Sequence, residues 1–142
     1  MTETLTKTAI FAATPETVWE FLTDKDKLGT WFHPARQNLA EGEDYELIRE
    51  SEDGVLTRQI WGKVLKADKP NELVCTFIIG PFGDKETTVT WTLTPVAGGT
   101  KLTLGHEGIA AASHGSSLSL MMALDHGWDK HIQSLRDAAN NK

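Results

Sequence analysis

Apolar and polar residues alternate through the middle of the chain, as they do in a β-strand that buries one face. Five runs show this alternation, and turn-forming residues such as glycine, proline and aspartate separate them. The runs cover residues 44–50, 56–65, 73–79, 86–94 and 100–107. In the fourth run, Val89, Trp91 and Leu93 share one face while threonines occupy the other. This pattern predicts an antiparallel sheet with one buried face and one solvated face.

Helices are predicted on both sides of this region. Residues 4–12 predict a first strand, and Thr14 and Pro15 then supply the N-cap and the first-turn proline of a helix. Residues 31–34 predict a short second helix that ends before the proline. From Ser117 onward, apolar side chains recur three and four residues apart over about 23 residues, which predicts a helix about 34 Å long. The stripe on this helix contains Leu118, Met121, Asp125, Trp128, Ile132, Leu135 and Ala139.

The order of these elements is β-α-α-β-β-β-β-β-α, which predicts an α+β fold. The long C-terminal helix can cross the whole buried face of a six-stranded sheet. We therefore expect a curved antiparallel sheet wrapped around that helix. Neither a repeat nor a linker interrupts the sequence, so a single domain over residues 1–142 is expected.

Composition and charge narrow the classes of partner. The chain of 142 residues has 14 basic and 20 acidic side chains, a net charge of −6, and no basic run. This balance argues against binding to nucleic acid or to an anionic membrane. The N-terminus shows no signal pattern, the longest apolar run covers only residues 120–124, and Cys75 is the single cysteine. These features predict a cytoplasmic protein without an intrachain disulfide, and they leave a homodimer open.

Asp125 is the most informative position for chemistry. A carboxylate on an apolar stripe that faces the sheet would lose its hydration, so it needs a partner or a wet cavity. The candidate partners on the inward faces of the strands are Arg49, Arg58 and His106. Asp125 is then a polar group at the base of a ligand pocket or a general base. Two other interpretations stay open: a structural ion pair, or a helix rotated so that Asp125 meets solvent.

Large apolar side chains supply the rest of a predicted ligand-binding cavity between the sheet and the long helix. The candidate lining residues of this kind are Phe77, Trp91, Met121, Met122 and Trp128. The same residues are also typical of a simple core. Gly127 destabilises the helix by about 1 kcal/mol relative to alanine, which is typical of a close approach by another backbone.

The titratable side chains do not predict a metal site or a cofactor. The five histidines are His33, His106, His114, His126 and His131. Two of them, His126 and His131, are five residues apart and so point about 140° away from each other around a helix. His106 faces inward at the end of the last strand, where it is either a hydrogen-bonded structural residue or part of the pocket. Cys75 is expected to be a buried, inert thiol.

Five segments of the chain, in this order, are similar to one superfamily. They are FAATPETVWEFLTD at 11–24, LGTWF at 28–32, IWGKVLKADKPNELVCTF at 60–77, GTKLTLGHEG at 99–108 and HGWDKHIQSLRD at 126–137. Together they resemble the helix-grip domains, which include START-like and birch-pollen-allergen-like proteins. Within that superfamily the chain resembles the family named after the activator of Hsp90 ATPase. The resemblance implies the helix-grip fold over nearly the whole chain.

The superfamily includes carriers of apolar small molecules, polyketide cyclases and dehydratases, and chaperone-activating modules. The function that we favour is binding of an apolar or amphipathic small molecule in the cavity between the sheet and the C-terminal helix. The first alternative is a cyclase, dehydratase or hydrolase that uses Asp125 with His106 or Arg58 as an acid–base set. The second is a module that acts on a chaperone, which would need a large exposed apolar or charged patch.

Overall fold

The computed structural model describes residues 4–113 and 117–140, so His114 lies outside the described residues. The strands are β1 (Thr4–Phe11), β2 (Asp44–Glu50), β3 (Leu56–Asp68), β4 (Glu72–Phe77), β5 (Thr87–Val96) and β6 (Gly99–Glu107). The helices are α1 (Pro15–Thr23), α2 (Ile109–Ala112) and α3 (Ser117–Ala139). Within the described residues, the strands form one antiparallel sheet in the order β1-β6-β5-β4-β3-β2. This curved sheet with its C-terminal helix confirms the predicted α+β helix-grip fold.

Helix α1 begins where the sequence predicts. The Thr14 side chain accepts a hydrogen bond from the Thr17 backbone N–H at 3.2 Å, and Pro15 occupies the first turn. Val18 and Leu22 lie on the buried side of the helix. A capped first turn and an apolar stripe therefore fix both the start of α1 and the face that it packs inward.

The short second helix was predicted at the wrong position. A 3-10 turn covers Lys27–Thr30, and residues 31–34 follow it without helical structure. The Asp24 carboxylate accepts hydrogen bonds from the backbone N–H groups of Asp26 and Lys27 at 2.9 and 3.0 Å, which starts the turn early. Trp31 then leaves the helical path because its buried indole donates to the Phe21 carbonyl at 2.7 Å.

The strand predictions hold with shifted ends. Strand β3 continues three residues beyond the predicted end, and a bulge between Val64 and Lys66 changes its alternation, so Leu65 is 50% exposed. Strand β4 ends at Phe77, two residues early, because the chain turns into a 3-10 segment at Gly80–Phe82. The glycine at 62 matters for the sheet, because a Cβ there would overlap the Thr76 backbone of the neighbouring strand.

Helix α3 has the predicted bounds, but only its second half is buried. The side chains of Trp128, Ile132, Leu135 and Ala139 are buried against the sheet and the other helices. In the first half, Met121 and Leu124 are half-buried, whereas Leu118 and Met122 are 73% and 64% exposed. The core is therefore continuous at one end of the helix and open at the other. None of the described helices combines the length and apolar character needed to span a bilayer.

Candidate functional site

A cleft of about 560 Å³ lies between the middle of α3 and the strands β3 and β4. The sheet side contributes Arg58, Gln59, Ile60, Trp61, Phe77, Ile79, Gly80 and Pro81. The helix side contributes Leu124, Gly127, Trp128 and His131, and the segment after α1 contributes Phe32 and His33. Among these lining residues, Arg58 is the only one with a permanent charge. The cleft is thus a mainly apolar space with one cation in its wall.

The helix wall follows from spacing along α3. Leu124, Gly127, Trp128 and His131 are three, four and seven residues apart from the first, so they share one face. At Gly127 this face carries no side chain, and a Cβ placed there would meet no atom within 4 Å. The predicted close approach of another backbone to Gly127 is therefore wrong. The residue borders open space instead.

Aromatic rings form the wall next to the helix. The ring of Phe32 lies 4.5 Å from His131, 5.0 Å from His33 and 5.8 Å from Trp128, measured between ring centres. The Trp128 ring in turn packs against Phe77, with 5.7 Å between the ring centres. Such offset and tilted rings pack favourably, and they present flat apolar surface to the cleft.

Arg58 stands at the sheet wall with part of its hydrogen-bonding capacity unused. Its guanidinium lies 4.0 Å over the ring of Trp61, a cation–π contact that holds the side chain in place. Its ion pair with Glu46 is long, at 3.7 Å, whereas Arg36 pairs with the other oxygen of the same carboxylate at 2.7 Å. A guanidinium has five N–H donors, so donors remain for a bound molecule.

His106 lies behind the cleft in a complete hydrogen-bond chain. The Trp128 indole Nε1 donates to His106 Nδ1 at 3.0 Å, and His106 Nε2 lies 2.8 Å from Thr87 Oγ1. The Thr87 hydroxyl donates to the Phe77 carbonyl at 2.6 Å, so it accepts from the imidazole. An indole N–H only donates, and therefore the neutral ring carries its proton on Nε2.

This chain makes His106 a positioning residue for Trp128. The side chain is fully buried, and burial lowers its pKa to about 4. Protonation would also place a second N–H against the Trp128 N–H. His106 therefore stays neutral near pH 7, and it fixes the indole that forms part of the cleft.

His33 and His131 are the titratable side chains that line the cleft itself. Both are half-buried, and within the described part of the chain neither ring has a hydrogen-bond partner. Burial lowers the pKa of both imidazoles, and the nearby Arg49 lowers that of His33 further. The nearby His33 further lowers the pKa of His131. Both are therefore neutral at pH 7 and have free nitrogens.

Comparison with known proteins identifies the family. Residues 12–140 match the family described as activator of Hsp90 ATPase homolog 1-like protein. The chain belongs to this family. The resemblance of the five sequence segments is thereby confirmed. No curated protein is similar enough in sequence to count as a relative.

Solved structures show the same fold at low sequence identity. CV1439 from Chromobacterium violaceum is 19% identical with a TM-score of 0.77, and the match covers 98% of both chains. CalU16 from Micromonospora echinospora is 20% identical with a TM-score of 0.74, over 95% of this chain and 73% of CalU16. DynU16, from the dynemicin biosynthetic locus, is 22% identical with a TM-score of 0.75, over 94% of this chain and 46% of DynU16.

The family-like segments contribute unequally to the cleft. LGTWF ends with Phe32, the segment at 60–77 supplies Trp61 and Phe77, and HGWDKHIQSLRD supplies Trp128 and His131. The segments at 11–24 and 99–108 contribute no lining residue. The residues that carry the family likeness therefore serve both the core and the cleft.

The structure places some of the predicted site residues in the wall of the cleft and the others outside it. Arg58, Phe77 and Trp128 line the cleft. Trp91 lies behind it, beside a crevice of only about 30 Å³ that Phe77 and Trp128 separate from the cleft. The predicted residues that do not line the cleft are His106, Arg49, Met121, Met122 and Asp125. His106 is in the core, whereas Arg49 and Met122 are exposed.

Of the interpretations left open for Asp125, the structure agrees with a helix rotated so that this residue meets solvent, and not with an inward orientation. Its carboxylate is half exposed and pairs with Lys7 Nζ of β1 at 2.6 Å, and Asp129 pairs with the same ammonium at 2.9 Å. The hydrogen bond to Asp125, followed by that to Asp129, raises the pKa of Lys7. The inward position on α3 belongs to the neighbouring Leu124. Asp125 therefore contacts none of its predicted partners Arg49, Arg58 and His106.

Two further predictions concern reactive and metal-binding groups. Cys75 is buried, and burial raises its pKa to about 12, so its thiol stays protonated. Within the described residues, no group of three or more histidine, cysteine or acidic side chains is placed to hold a metal ion.

His33 and His131 were missed as lining residues by sequence reasoning. His131 is three residues after Trp128 and four after Gly127, which is a usable helical signal. His33 gave no such signal, because apolar residues do not recur at a regular spacing in the segment after the 3-10 turn.

Proposed function

We propose that the cleft binds a small, mainly apolar molecule that carries an anionic or hydrogen-bond-accepting group. The observation that supports this most directly is the single guanidinium in an otherwise apolar lining. The volume of about 560 Å³ lies within the range of small-molecule sites, about 300–1,000 Å³. The apolar part of the molecule would pack against the rings, and its polar group would reach Arg58.

The charges of the lining favour an anion over a cation. No carboxylate faces the cleft among the lining residues, and the free donors of Arg58 can form charge-assisted hydrogen bonds. His33 and His131 are neutral at pH 7, so each can donate or accept one further hydrogen bond. A bound cation would find no counter-charge in this wall.

One structural neighbour supports a small organic molecule as the occupant, since DynU16 comes from a biosynthetic locus. The enzyme alternative loses its predicted acid–base set, because Asp125 points to solvent and His106 has both nitrogens hydrogen-bonded. A cytoplasmic location, a homodimer and a single domain over residues 1–142 remain predictions.

Two dyes with the same ring system test the proposal. The first is 8-anilinonaphthalene-1-sulfonate, and the second is N-phenyl-1-naphthylamine, which lacks the sulfonate. Binding is measured by dye emission and by quenching of the tryptophan emission, to which Trp61 and Trp128 of the cleft wall contribute. We expect Arg58→Gln to weaken sulfonate binding by about tenfold or more, since a hydrogen bond to a charged group contributes about 1.5–3 kcal/mol. The neutral dye should lose less than about twofold.

Arg49→Gln is the matched control, because it removes the same charge from an exposed side chain outside the lining. Its effect on sulfonate binding should stay within about threefold, as for a screened surface charge. Native protein that binds neither dye, or an Arg58→Gln variant that weakens both dyes equally, would count against the proposed function.

A further inference from the structure

Gly127 lies in the middle of a 23-residue helix, where glycine is less favourable than alanine. A mid-helix glycine has a structural reason when its backbone is left-handed or when another group approaches too closely for a Cβ. Neither applies here. Gly127 is not among the described glycines with positive φ, and a Cβ there would meet nothing within 4 Å.

At two other glycines of the chain, the close approach of a neighbouring strand leaves no room for a Cβ. A Cβ on Gly62 would overlap the Thr76 carbonyl, and a Cβ on Gly99 would overlap the Phe11 carbonyl. Both positions lie where two strands approach closely. Gly127 differs because the space next to it is the cleft. Glycine at position 127 thus lowers the stability of helix α3, and the only space that it enlarges is the cleft.

The missing side chain leaves a notch in the helix wall. Leu124 is three residues before Gly127 on the same face, and His131 is four residues after it. These two side chains are about 10.5 Å apart along the helix axis, at 1.5 Å per residue. The notch is therefore bounded at both ends, and the ring of Trp128 lies beside it. The Trp128 ring offers a flat surface on which the ring system of a ligand can pack.

We propose that Gly127 is a specificity-determining residue: the notch receives the apolar ring system of the ligand against the α3 backbone. This inference rests on the proposed function, and it predicts how the ligand is oriented in the cleft. The ring system lies at the helix wall, and the polar group faces Arg58 at the sheet wall. The side chain at position 127 then sets how broad a ring system the cleft admits.

Substitutions at position 127 test this inference with 8-anilinonaphthalene-1-sulfonate as the probe. Gly127→Ala should raise the urea midpoint of unfolding, because it improves helix propensity without a clash. Gly127→Leu should weaken dye binding by at least about tenfold, since overfilling a packed site has an effect of this order. Gly127→Ala should give a smaller loss in the same direction.

Ser119→Leu is the matched control, because it adds similar bulk to an exposed position of the same helix, about two turns before Gly127 and outside the lining. Its dye affinity should equal that of the native protein. A Gly127→Leu variant with native affinity would overturn the inference, and so would a Gly127→Ala variant with a lower urea midpoint, which would reveal a structural role.

The two proposals fail in different ways. Native protein that does not bind the dye would reject the proposed function and the notch with it. Native protein that binds the dye with the expected loss in Arg58→Gln, but with no loss in Gly127→Leu, would reject the notch alone. The same data set therefore separates the two.

Discussion

The space between α3 and the sheet is filled at one end and open at the other. At the closed end, Ile132, Leu135 and Ala139 are buried in a continuous core. At the open end, Leu124 and Gly127 face the cleft instead. Trp128 belongs to both, because its ring lines the cleft while its indole N–H bonds to the core. One helix thus stabilises the fold with its C-terminal part and lines the cleft with its middle part.

The histidines differ in a similar way. His106, in the core behind the cleft, has both nitrogens hydrogen-bonded, whereas His33 and His131, which line the cleft, have no partner in the described part of the chain. Burial lowers the pKa of all three. Their roles differ because an imidazole with both nitrogens hydrogen-bonded stabilises the fold, while an imidazole without a hydrogen-bond partner can bind a ligand.

The largest expected effect separates the two ends by stability. Leu135→Ala removes a fully buried side chain and should lower the free energy of unfolding by about 2–5 kcal/mol. Leu124→Ala removes a half-buried side chain from the cleft wall and should lower it by less than about 1.5 kcal/mol. Urea unfolding of both variants measures this. Equal losses would mean that the open end is as well packed as the closed end.

The second prediction concerns His106 and acid. Its folded pKa of about 4 lies below the unfolded value of 6.5, so the unfolded chain takes up the proton first. The stabilising contribution is complete above pH 6.5 and declines as the pH falls towards 4. The loss is about 3 kcal/mol at pH 4, at 1.36 kcal/mol per pH unit.

His106→Gln removes this titration and should flatten the difference between pH 6.5 and 4. At pH 7 the variant should be less stable by about 2–4 kcal/mol, since its neighbours Trp128 and Thr87 lose a buried partner. Urea unfolding at several pH values gives both quantities. Parallel pH profiles for native protein and variant would mean that His106 is not a neutral buried residue.

The sequence predicts the sheet and the start of α1 well, because alternation and capping are local signals. It predicts the rotation of α3 poorly, since Leu124 and Asp125 both continue the spacing between Met121 and Trp128. Asp125 instead bonds Lys7 on β1, a tertiary contact that the spacing along the helix does not reveal. The site was predicted in part for the same reason: Arg58, Phe77 and Trp128 lie on regular elements, whereas His33 does not.

The third prediction uses the two free histidines. Both are neutral at pH 7, so lowering the pH through their lowered pKa values adds positive charge to the cleft. Binding of 8-anilinonaphthalene-1-sulfonate should tighten by about fivefold, because a nearby charge contributes about 1 kcal/mol in a wet site. N-phenyl-1-naphthylamine should show no such change.

The double variant His33→Gln, His131→Gln is the control for this pH effect, since it keeps hydrogen-bonding capacity without a titratable ring. Its sulfonate affinity should not vary with pH in the same range. A retained pH dependence would place the responsive group elsewhere in the molecule.

The smallest expected effect belongs to Asp125, which lies at neither end of the space. Asp125→Asn removes one of two carboxylates that bond the Lys7 ammonium, and the other, on Asp129, remains. The carboxylate is half exposed, so the free energy of unfolding should fall by less than about 1 kcal/mol. Dye affinity should not change, because Asp125 does not line the cleft. A loss of 3 kcal/mol or more, the approximate size for a desolvated pair, would instead turn Asp125 towards the sheet. The buried part of α3 would then begin at Asp125 rather than at Trp128, nearly one helical turn earlier.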